Sequence, residues 1–122
     1  MKGRRREITR EELHGILRER LGVTVVHAEY GMTELLSQAY SAGSGVFRCP
    51  DWMRVLVRSE DDPLEVRSFG EGLINVIDLA NIWSCSFLAT EDVGVLGSDG
   101  GFTVAGRVDH SDLRGCSLLV AS

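Results

Sequence analysis

The first regular pattern along the chain is an apolar stripe at helical spacing. Its members are Leu13, Ile16, Leu17 and Leu21. Thr9 and Glu12 precede the stripe at the spacing of a capping box, which closes the first turn of a helix. Gly22 follows the stripe, where glycine commonly ends a helix. The pattern predicts a helix over residues 10–21, with His14 off the stripe and on the surface.

An apolar, β-branched run follows the predicted helix, and the helical spacing of apolar residues ends there. Residues 23–29 begin with Val-Thr-Val-Val and predict a buried strand. Residues 35–40 are compatible with one or two helical turns. A helix that leads directly into a buried strand is typical of an α/β layer. We therefore interpret residues 1–45 as the end of an α/β core.

Short strands and turns dominate after a linker of small residues at positions 41–45. The candidate strands are residues 46–48, 53–59, 64–69, 72–78, 86–89, 93–96 and 102–105. Turn signals separate them at residues 49–51, 60–63, 70–72 and 97–101. Many short strands at close spacing favour a small antiparallel sheet or barrel over residues 46–122. The predicted fold class is α+β, a helix–strand unit followed by a β-rich, distorted barrel-like subdomain.

The charge balance excludes one class of partner. The chain has 122 residues, a net charge of −5 and 25% charged residues. Bulk positive charge therefore does not drive binding to nucleic acid. Lys2 is the only lysine, which excludes a mechanism that needs a lysine deep in this polypeptide. Arginine remains available for paired contacts with phosphate or carboxylate.

The three cysteines, Cys49, Cys85 and Cys116, do not form a paired motif. An odd count without CxxC spacing disfavours a disulfide framework. A zinc site from these cysteines with His27 or His110 is an alternative, but the spacings are irregular. No stretch reads as a secretory signal or a membrane span. We expect a cytoplasmic protein with reduced thiols.

The turn at residues 29–34, Glu-Tyr-Gly-Met-Thr-Glu, combines groups that suit a nucleotide. Gly31 lets the backbone approach a ligand closely, and Tyr30 offers a flat face for a base. Thr33 offers a hydroxyl for a phosphate, and Glu34 offers the hard oxygen that Mg²⁺ prefers. The alternative is an ordinary strand that ends in a polar turn, with Tyr30 half buried.

Two later stretches are ambiguous when each is taken alone. Residues 90–92, Thr-Glu-Asp, fall between two predicted strands and are typical of a solvated turn. Residues 106–109, Gly-Arg-Val-Asp, follow a predicted strand and are compatible with any hairpin exit.

Cys116 is the candidate functional thiol. It follows Arg114, and a neighbouring cation favours the thiolate that a nucleophile needs. The alternative is an inert cysteine packed among apolar neighbours. Cys49 lies in a turn, and Cys85 has an apolar sequence setting. Both are therefore expected to be structural.

In their order along the chain, these motifs resemble those of the adenylate-forming ligase superfamily. The resemblance implies that Tyr30, Gly31, Thr33 and Glu34 bind the adenine, phosphate and Mg²⁺ of Mg·ATP, with Glu34 as the metal ligand. It implies Asp92 for the ribose hydroxyls, and Arg107 for the ribose or the phosphate in binding and catalysis. The superfamily usually has glycine at the position of Glu91.

Within the superfamily, residues 29–40, 47–52, 72–96 and 106–119 look most similar to the acyl-protein synthetases (LuxE-type). That resemblance implies that a long-chain fatty acid and ATP give an acyl-adenylate. The acyl group then passes to Cys116 and on to a reductase partner or another thiol acceptor. The chain resembles only the C-terminal third of these enzymes, and no phosphate loop precedes Glu29.

Two functions follow as alternatives. One is the C-terminal part of an acyl-protein synthetase, which by itself is expected to bind ATP poorly because the phosphate loop is missing. The other is a non-catalytic binding module that completes a partner chain carrying that loop. If the chain keeps the conformation of the superfamily, Thr33, Glu34, Asp92 and Arg107 should meet around one concavity, with the Tyr30 ring as one wall.

Overall fold

The computed structural model describes residues 7–108, and the predictions for Cys116 and His110 lie outside the described residues. The elements are α1 (Arg10–Leu21), β1 (Ala28–Tyr30), β2 (Ala39–Ser41), β3 (Met53–Arg58), β4 (Val66–Arg67), β5 (Gly70–Asp78), a 3-10 turn (Leu79–Asn81), β6 (Phe87–Leu96) and β7 (Phe102–Arg107). Within this range, β1 and β2 form one antiparallel sheet, and the other strands form a second in the order β4-β3-β5-β6-β7. The predicted α+β class is confirmed. The described strands do not close into a barrel.

The ends of α1 agree with the sequence pattern. The Glu12 backbone N–H donates to Thr9 Oγ1 at 3.1 Å, and the Thr9 N–H donates to Glu12 Oε2 at 3.0 Å. Gly22 has a φ of 71° and donates its N–H to the Arg18 carbonyl. The capping box and the glycine stop are therefore confirmed.

The buried side of α1 differs from the predicted one. Leu13 and Ile16 are 42% and 44% exposed, whereas His14 is only 7% exposed. The prediction of a surface histidine is wrong, because the helix turns its His14 side toward the turn at residues 43–45. Its apolar stripe remains largely uncovered in the described part of the chain.

The two predictions around β1 are wrong in detail. Strand pairing covers only Ala28–Tyr30, and Val23 and Val25 are 42% and 46% exposed. The expected helical turns at residues 35–40 are replaced by an irregular loop and β2, which pairs antiparallel with β1. Side chains from residue 35 to residue 41 are alternately buried and more exposed, which is the period of the extended chain that leads into β2. Buried serines supply part of that inner face, so the apolar pattern did not show it.

The β-rich region follows most of the predicted strand positions. The predicted strands 53–59, 72–78 and 102–105 correspond to β3, β5 and β7. Predicted strand 64–69 shrinks to the two residues of β4, and predicted strand 46–48 contributes only isolated bridges. The predicted strands 86–89 and 93–96 are one continuous strand, β6.

Residues 90–92 form a bulge inside β6, so the prediction of a turn there is wrong. Between the pairs Asn75↔Ala89 and Leu73↔Val93, three residues of β6 lie opposite one residue of β5. A bulge takes extra residues out of the regular ladder and bends the strand. This is how a polar triplet is accommodated in the middle of a sheet.

One core joins the β1–β2 pair to the five-stranded sheet. Its largest fully buried apolar side chains are Phe47, Phe102, Ile74, Val57 and Val76. Tyr30, Leu35 and Ala39 from the N-terminal part belong to the same buried cluster. The division of the chain at residue 45 stays a prediction. In the described range, no helix is long and apolar enough to cross a membrane.

Candidate functional site

A pocket of about 380 Å³ opens between the loop after β1 and the bulge of β6. This cavity, which we call the Glu34 pocket, is lined by Gly31, Met32, Glu34, Leu88, Ala89, Thr90, Glu91, Asp92 and Arg107. The structure therefore brings Glu34, Asp92 and Arg107 together, although the sequence separates them widely. Thr33 belongs to the same loop but does not line the pocket.

Asp92 is held at the edge of the bulge. Its backbone N–H donates to Thr90 Oγ1 at 3.0 Å, and the Tyr30 hydroxyl donates to Asp92 Oδ2 at 2.6 Å. Arg107 is the direct cross-strand partner of Asp92 on β7. Side chains at such a position are close neighbours on the sheet. The pocket thus places an oriented carboxylate beside a guanidinium.

Tyr30 is a core residue whose hydroxyl serves the pocket. Its ring lies 5.4 Å from the Phe102 ring centroid in a near-perpendicular arrangement, and 6.0 Å from that of Phe47. Burial, followed by the hydrogen bond to Asp92, raises the pKa of Tyr30 far above its ordinary value. The phenol therefore remains a donor. The ring is not among the lining residues, so the structure does not place it as the expected wall.

The loop that carries Glu34 is held by a buried carboxylate that sequence analysis missed. Asp78 has no exposed surface. It accepts hydrogen bonds from the Leu36 N–H at 2.9 Å, the Ser37 N–H at 2.8 Å and Ser37 Oγ at 2.7 Å. Burial alone would raise the pKa of Asp78, but these hydrogen bonds outweigh it and hold the pKa below its usual value. The available signal is an aspartate at the end of an apolar strand, capping a short turn.

Two further anchors fix the backbone around Glu34. Asn81 Nδ2 donates to the Glu34 carbonyl at 3.0 Å, and Trp52 Nε1 donates to Ser37 Oγ at 2.8 Å. The Glu34 residue itself is exposed at the pocket. Its main chain is thus fixed while its carboxylate stays available.

The bulge is held by Arg58, which sequence analysis also missed. Its guanidinium donates to the Thr90 carbonyl at 2.7 Å, to Asn75 Oδ1 at 2.6 Å and to the Ile74 carbonyl at 3.4 Å. Thr90 Oγ1 also donates to the Ile74 carbonyl, at 2.8 Å. The sequence offers no signal for this role, because Arg58 falls in phase with the exposed Arg54 along β3. Only the structure shows that Val57 and Arg58 are buried in succession.

The donor set at the pocket fits a magnesium-bound phosphate ligand. Glu34, Glu91 and Asp92 supply carboxylates, and Arg107 supplies a positive charge. Mg²⁺ is commonly held by one or two carboxylates together with the phosphates of a substrate. Among residues 7–108, no group of three or more His, Cys, Asp or Glu side chains is placed to hold a metal ion by itself.

The two described cysteines have different environments. Burial raises the pKa of the Cys49 thiol to about 11, which leaves the thiol neutral at pH 7. Cys85 is exposed, and its thiol donates to the Phe87 carbonyl at 3.0 Å. The expected apolar setting of Cys85 is wrong, because the neighbouring Ile82 and Trp83 are 62% and 95% exposed.

Comparison with known proteins supports the fold. A scan against protein-family models finds no match, and a search of curated proteins finds no similar sequence. The N-terminal domain of FACL13 from Mycobacterium tuberculosis matches with a TM-score of 0.54 and 19% identity, over 80% of this chain and 29% of that one. The O-succinylbenzoate coenzyme A synthetase MenE from Bacillus subtilis matches with a TM-score of 0.54 and 21% identity, over 83% of this chain and 27% of that one. The chain therefore spans less than a third of either protein's length.

Proposed function

We propose that the chain is the C-terminal part of an AMP-forming acyl ligase and that the Glu34 pocket binds the nucleotide. The observation that carries the proposal is the meeting of Glu34, Asp92 and Arg107 at one pocket. These residues come from three motifs whose order resembles that of the adenylate-forming ligases. The fold likeness to MenE, a coenzyme A synthetase, supports the same class of reaction.

Each pocket residue has a distinct role in the proposal. Asp92 accepts hydrogen bonds from the ribose hydroxyls, and Tyr30 orients its carboxylate. Arg107 donates to phosphate or ribose oxygens with paired N–H groups. Glu34 is the ligand for Mg²⁺, which when bound neutralises charge on the phosphates. Thr33 lies in the same loop, and we assign its hydroxyl to a phosphate that extends past the pocket edge.

The finer proposal is acyl transfer in two steps. A fatty-acid carboxylate oxygen attacks the α-phosphorus of ATP, and the bond to pyrophosphate breaks, which gives the acyl-adenylate. Arg107 stabilises the negative charge that develops on the phosphoryl oxygens. The Cys116 thiolate then attacks the acyl carbon and displaces AMP. The resulting thioester passes its acyl group to a reductase partner or another thiol acceptor.

A second candidate function is a non-catalytic module that completes a partner chain carrying the phosphate loop. The uncovered stripe of α1 favours it, since Leu13, Ile16 and Leu21 are 42%, 44% and 68% exposed. Contiguous exposed apolar surface commonly marks a protein interface. In this case the Glu34 pocket binds nucleotide only as part of the assembly.

Nucleotide titration followed by amide NMR shifts tests the proposed pocket. We expect weak, saturable binding of AMP, with the largest shifts at Gly31, Glu34 and Asp92. Arg107→Gln should abolish it, whereas Arg54→Gln, an exposed arginine of β3 outside the pocket, should not. Shifts that map elsewhere would contradict the site. Micromolar binding of Mg·ATP to the chain alone would contradict the expectation of poor binding without a phosphate loop.

The acyl-transfer step needs its own experiment in a reconstituted full-length enzyme. With labelled fatty acid and ATP, adenylate formation should survive in Cys116→Ser, Cys49→Ser and Cys85→Ser. Covalent labelling should disappear only in Cys116→Ser. Labelling that persists without Cys116 would remove this thiol from the mechanism.

A further inference from the structure

A second, smaller cavity lies between α1 and the turn at residues 43–45. Its volume is about 130 Å³, and it shares no lining residue with the Glu34 pocket. It is lined by Arg10, Glu11, His14, Arg18 and residues 43–45. The volume is about four times that of a water molecule in the liquid and well below that of typical pockets for larger ligands. The cavity therefore suits a small ion and excludes a nucleotide.

Helical spacing gives the cavity a row of nitrogen donors. Arg10, His14 and Arg18 follow one another at intervals of four residues on α1, which places them side by side on one face. The Arg10 guanidinium lies over the Phe47 ring, 5.1 Å from its centroid. This contact orients the group without occupying its N–H donors. In the described range, neither Arg10 nor Arg18 forms an ion pair with a carboxylate.

His14 gives independent support for a ligand. It is only 7% exposed, it lines the cavity, and no residue in the range 7–108 hydrogen-bonds its ring. Buried polar side chains nearly always have a hydrogen-bond partner, whether protein, water or ion. The ring nitrogens of His14 are not fully enclosed by protein, so an imidazole N–H is available to an acceptor in the cavity beside the two arginines.

The opposite wall is a turn without bulky side chains. Gly43 and Gly45 have φ values of 94° and 80°, in the region that glycine adopts readily. The Gly45 N–H donates to Ser41 Oγ at 3.0 Å, which fixes the turn. The cavity is thus bounded by a rigid backbone on one side and by positive side chains on the other.

We propose that this cavity is an oxyanion site that binds a phosphate group, either as the free ion or as the end of a phosphomonoester. The two arginines outnumber the single carboxylate of Glu11, so the cavity has a net positive charge. Planar guanidinium groups match the oxygens of phosphate with paired hydrogen bonds. The site is separate from the Glu34 pocket, and its existence does not depend on the proposed ligase function.

The test is titration of the full chain with inorganic phosphate and with glycerol 3-phosphate, followed by amide NMR at low ionic strength. We expect saturable shifts confined to residues 10–18 and 43–45. Arg18→Gln should weaken binding by about tenfold, the size of one charge-assisted hydrogen bond. Arg20→Gln, an exposed arginine of the same helix outside the cavity, should change it by less than about twofold. Glu11→Gln should strengthen binding.

The two ligands distinguish the sources of the phosphate group. Tighter binding of inorganic phosphate assigns the site to the free ion, and tighter binding of glycerol 3-phosphate assigns it to a phosphomonoester. His14→Leu provides a second variant. Leucine fills a similar volume at this buried position but has no N–H donor, so binding should be lost. Shifts that do not saturate, or equal losses in Arg18→Gln and Arg20→Gln, would overturn the proposal.

Discussion

The two walls of the Glu34 pocket are built in different ways. The loop wall, residues 31–37, is irregular and is attached to the sheet through side-chain anchors, chiefly Asp78. The bulge wall, residues 90–92, belongs to β6 and has paired strands on both sides. A loop fixed by a few long-range hydrogen bonds can detach locally, whereas a central strand opens only when its neighbours do. We therefore expect the loop wall to be the more easily lost half of the site.

Removing the Asp78 carboxylate should have the largest effect. Asp78→Ala leaves the N–H groups of Leu36, Ser37 and Ala80 and the Ser37 hydroxyl without their acceptor, and we expect a loss of about 3 kcal/mol in the free energy of unfolding. Urea unfolding measures this loss, and hydrogen exchange should show the amides of Leu36 and Ser37 exposed first. Asp51→Ala, at an exposed position, is the matched control. Equal losses in both variants would show that Asp78 does not anchor the loop.

Replacing Arg58 should have the next largest effect and should act on the other wall. Arg58→Met keeps the apolar stem but removes the donors to the Thr90 and Ile74 carbonyls. We expect a loss of about 2 kcal/mol in unfolding free energy. Hydrogen exchange should quicken at residues 90–92 and not at residues 31–37.

The control for Arg58 is Arg54→Met, an exposed arginine on the same strand, which should be close to neutral. If hydrogen exchange quickens as much in the loop wall as in the bulge wall of Arg58→Met, the two walls do not open independently.

Tyr30→Phe should have a smaller effect because it removes one hydrogen bond between the walls. The Asp92 carboxylate is only partly buried, so water can replace the lost donor, and we expect a loss of about 1 kcal/mol in unfolding free energy. Binding of AMP should weaken if Asp92 must be oriented for the ribose. Tyr40→Phe, whose hydroxyl is exposed and 3.3 Å from Gln38 Oε1, should change neither quantity.

Mild acid should produce the smallest loss of stability, through protonation of Asp78. Hydrogen bonds hold the pKa of Asp78 below its usual value, so its contribution to stability is complete above the unfolded pKa of about 3.9 and disappears as the pH falls through the lower folded pKa. Lowering the pH from 7 to 4 should reduce the free energy of unfolding by only about 0.3 kcal/mol through this carboxylate, with a steeper loss at lower pH. Thermal unfolding of Asp78→Asn should lack this acid-dependent part. An unchanged pH profile in that variant would assign acid sensitivity to other carboxylates.

The sequence patterns located the site residues better than the elements that carry them. Capping chemistry predicted α1, because Thr9, Glu12 and Gly22 act locally and need no tertiary partner. Val23 and Val25 did not form the predicted strand, since β propensity alone supplies no neighbouring strand. The bulge at residues 90–92 could not be predicted because its partners lie on other strands: Arg58 donates to the Thr90 carbonyl, and the Tyr30 hydroxyl donates to Asp92. Asp78 was missed for the same reason, since its partners lie in a loop much earlier in the chain.

The bulge of β6 also sets a rule of parity. Three residues face one between the flanking pairs Asn75↔Ala89 and Leu73↔Val93, so the excess is two. Because side chains change face at every residue, an even excess leaves the two halves of β6 in phase. Deleting or inserting a single residue at positions 90–92 would turn the inner face of one half outward and move Asp92 away from Tyr30. Length changes of two residues would preserve the faces, so viable variants of this segment should differ in length by even numbers.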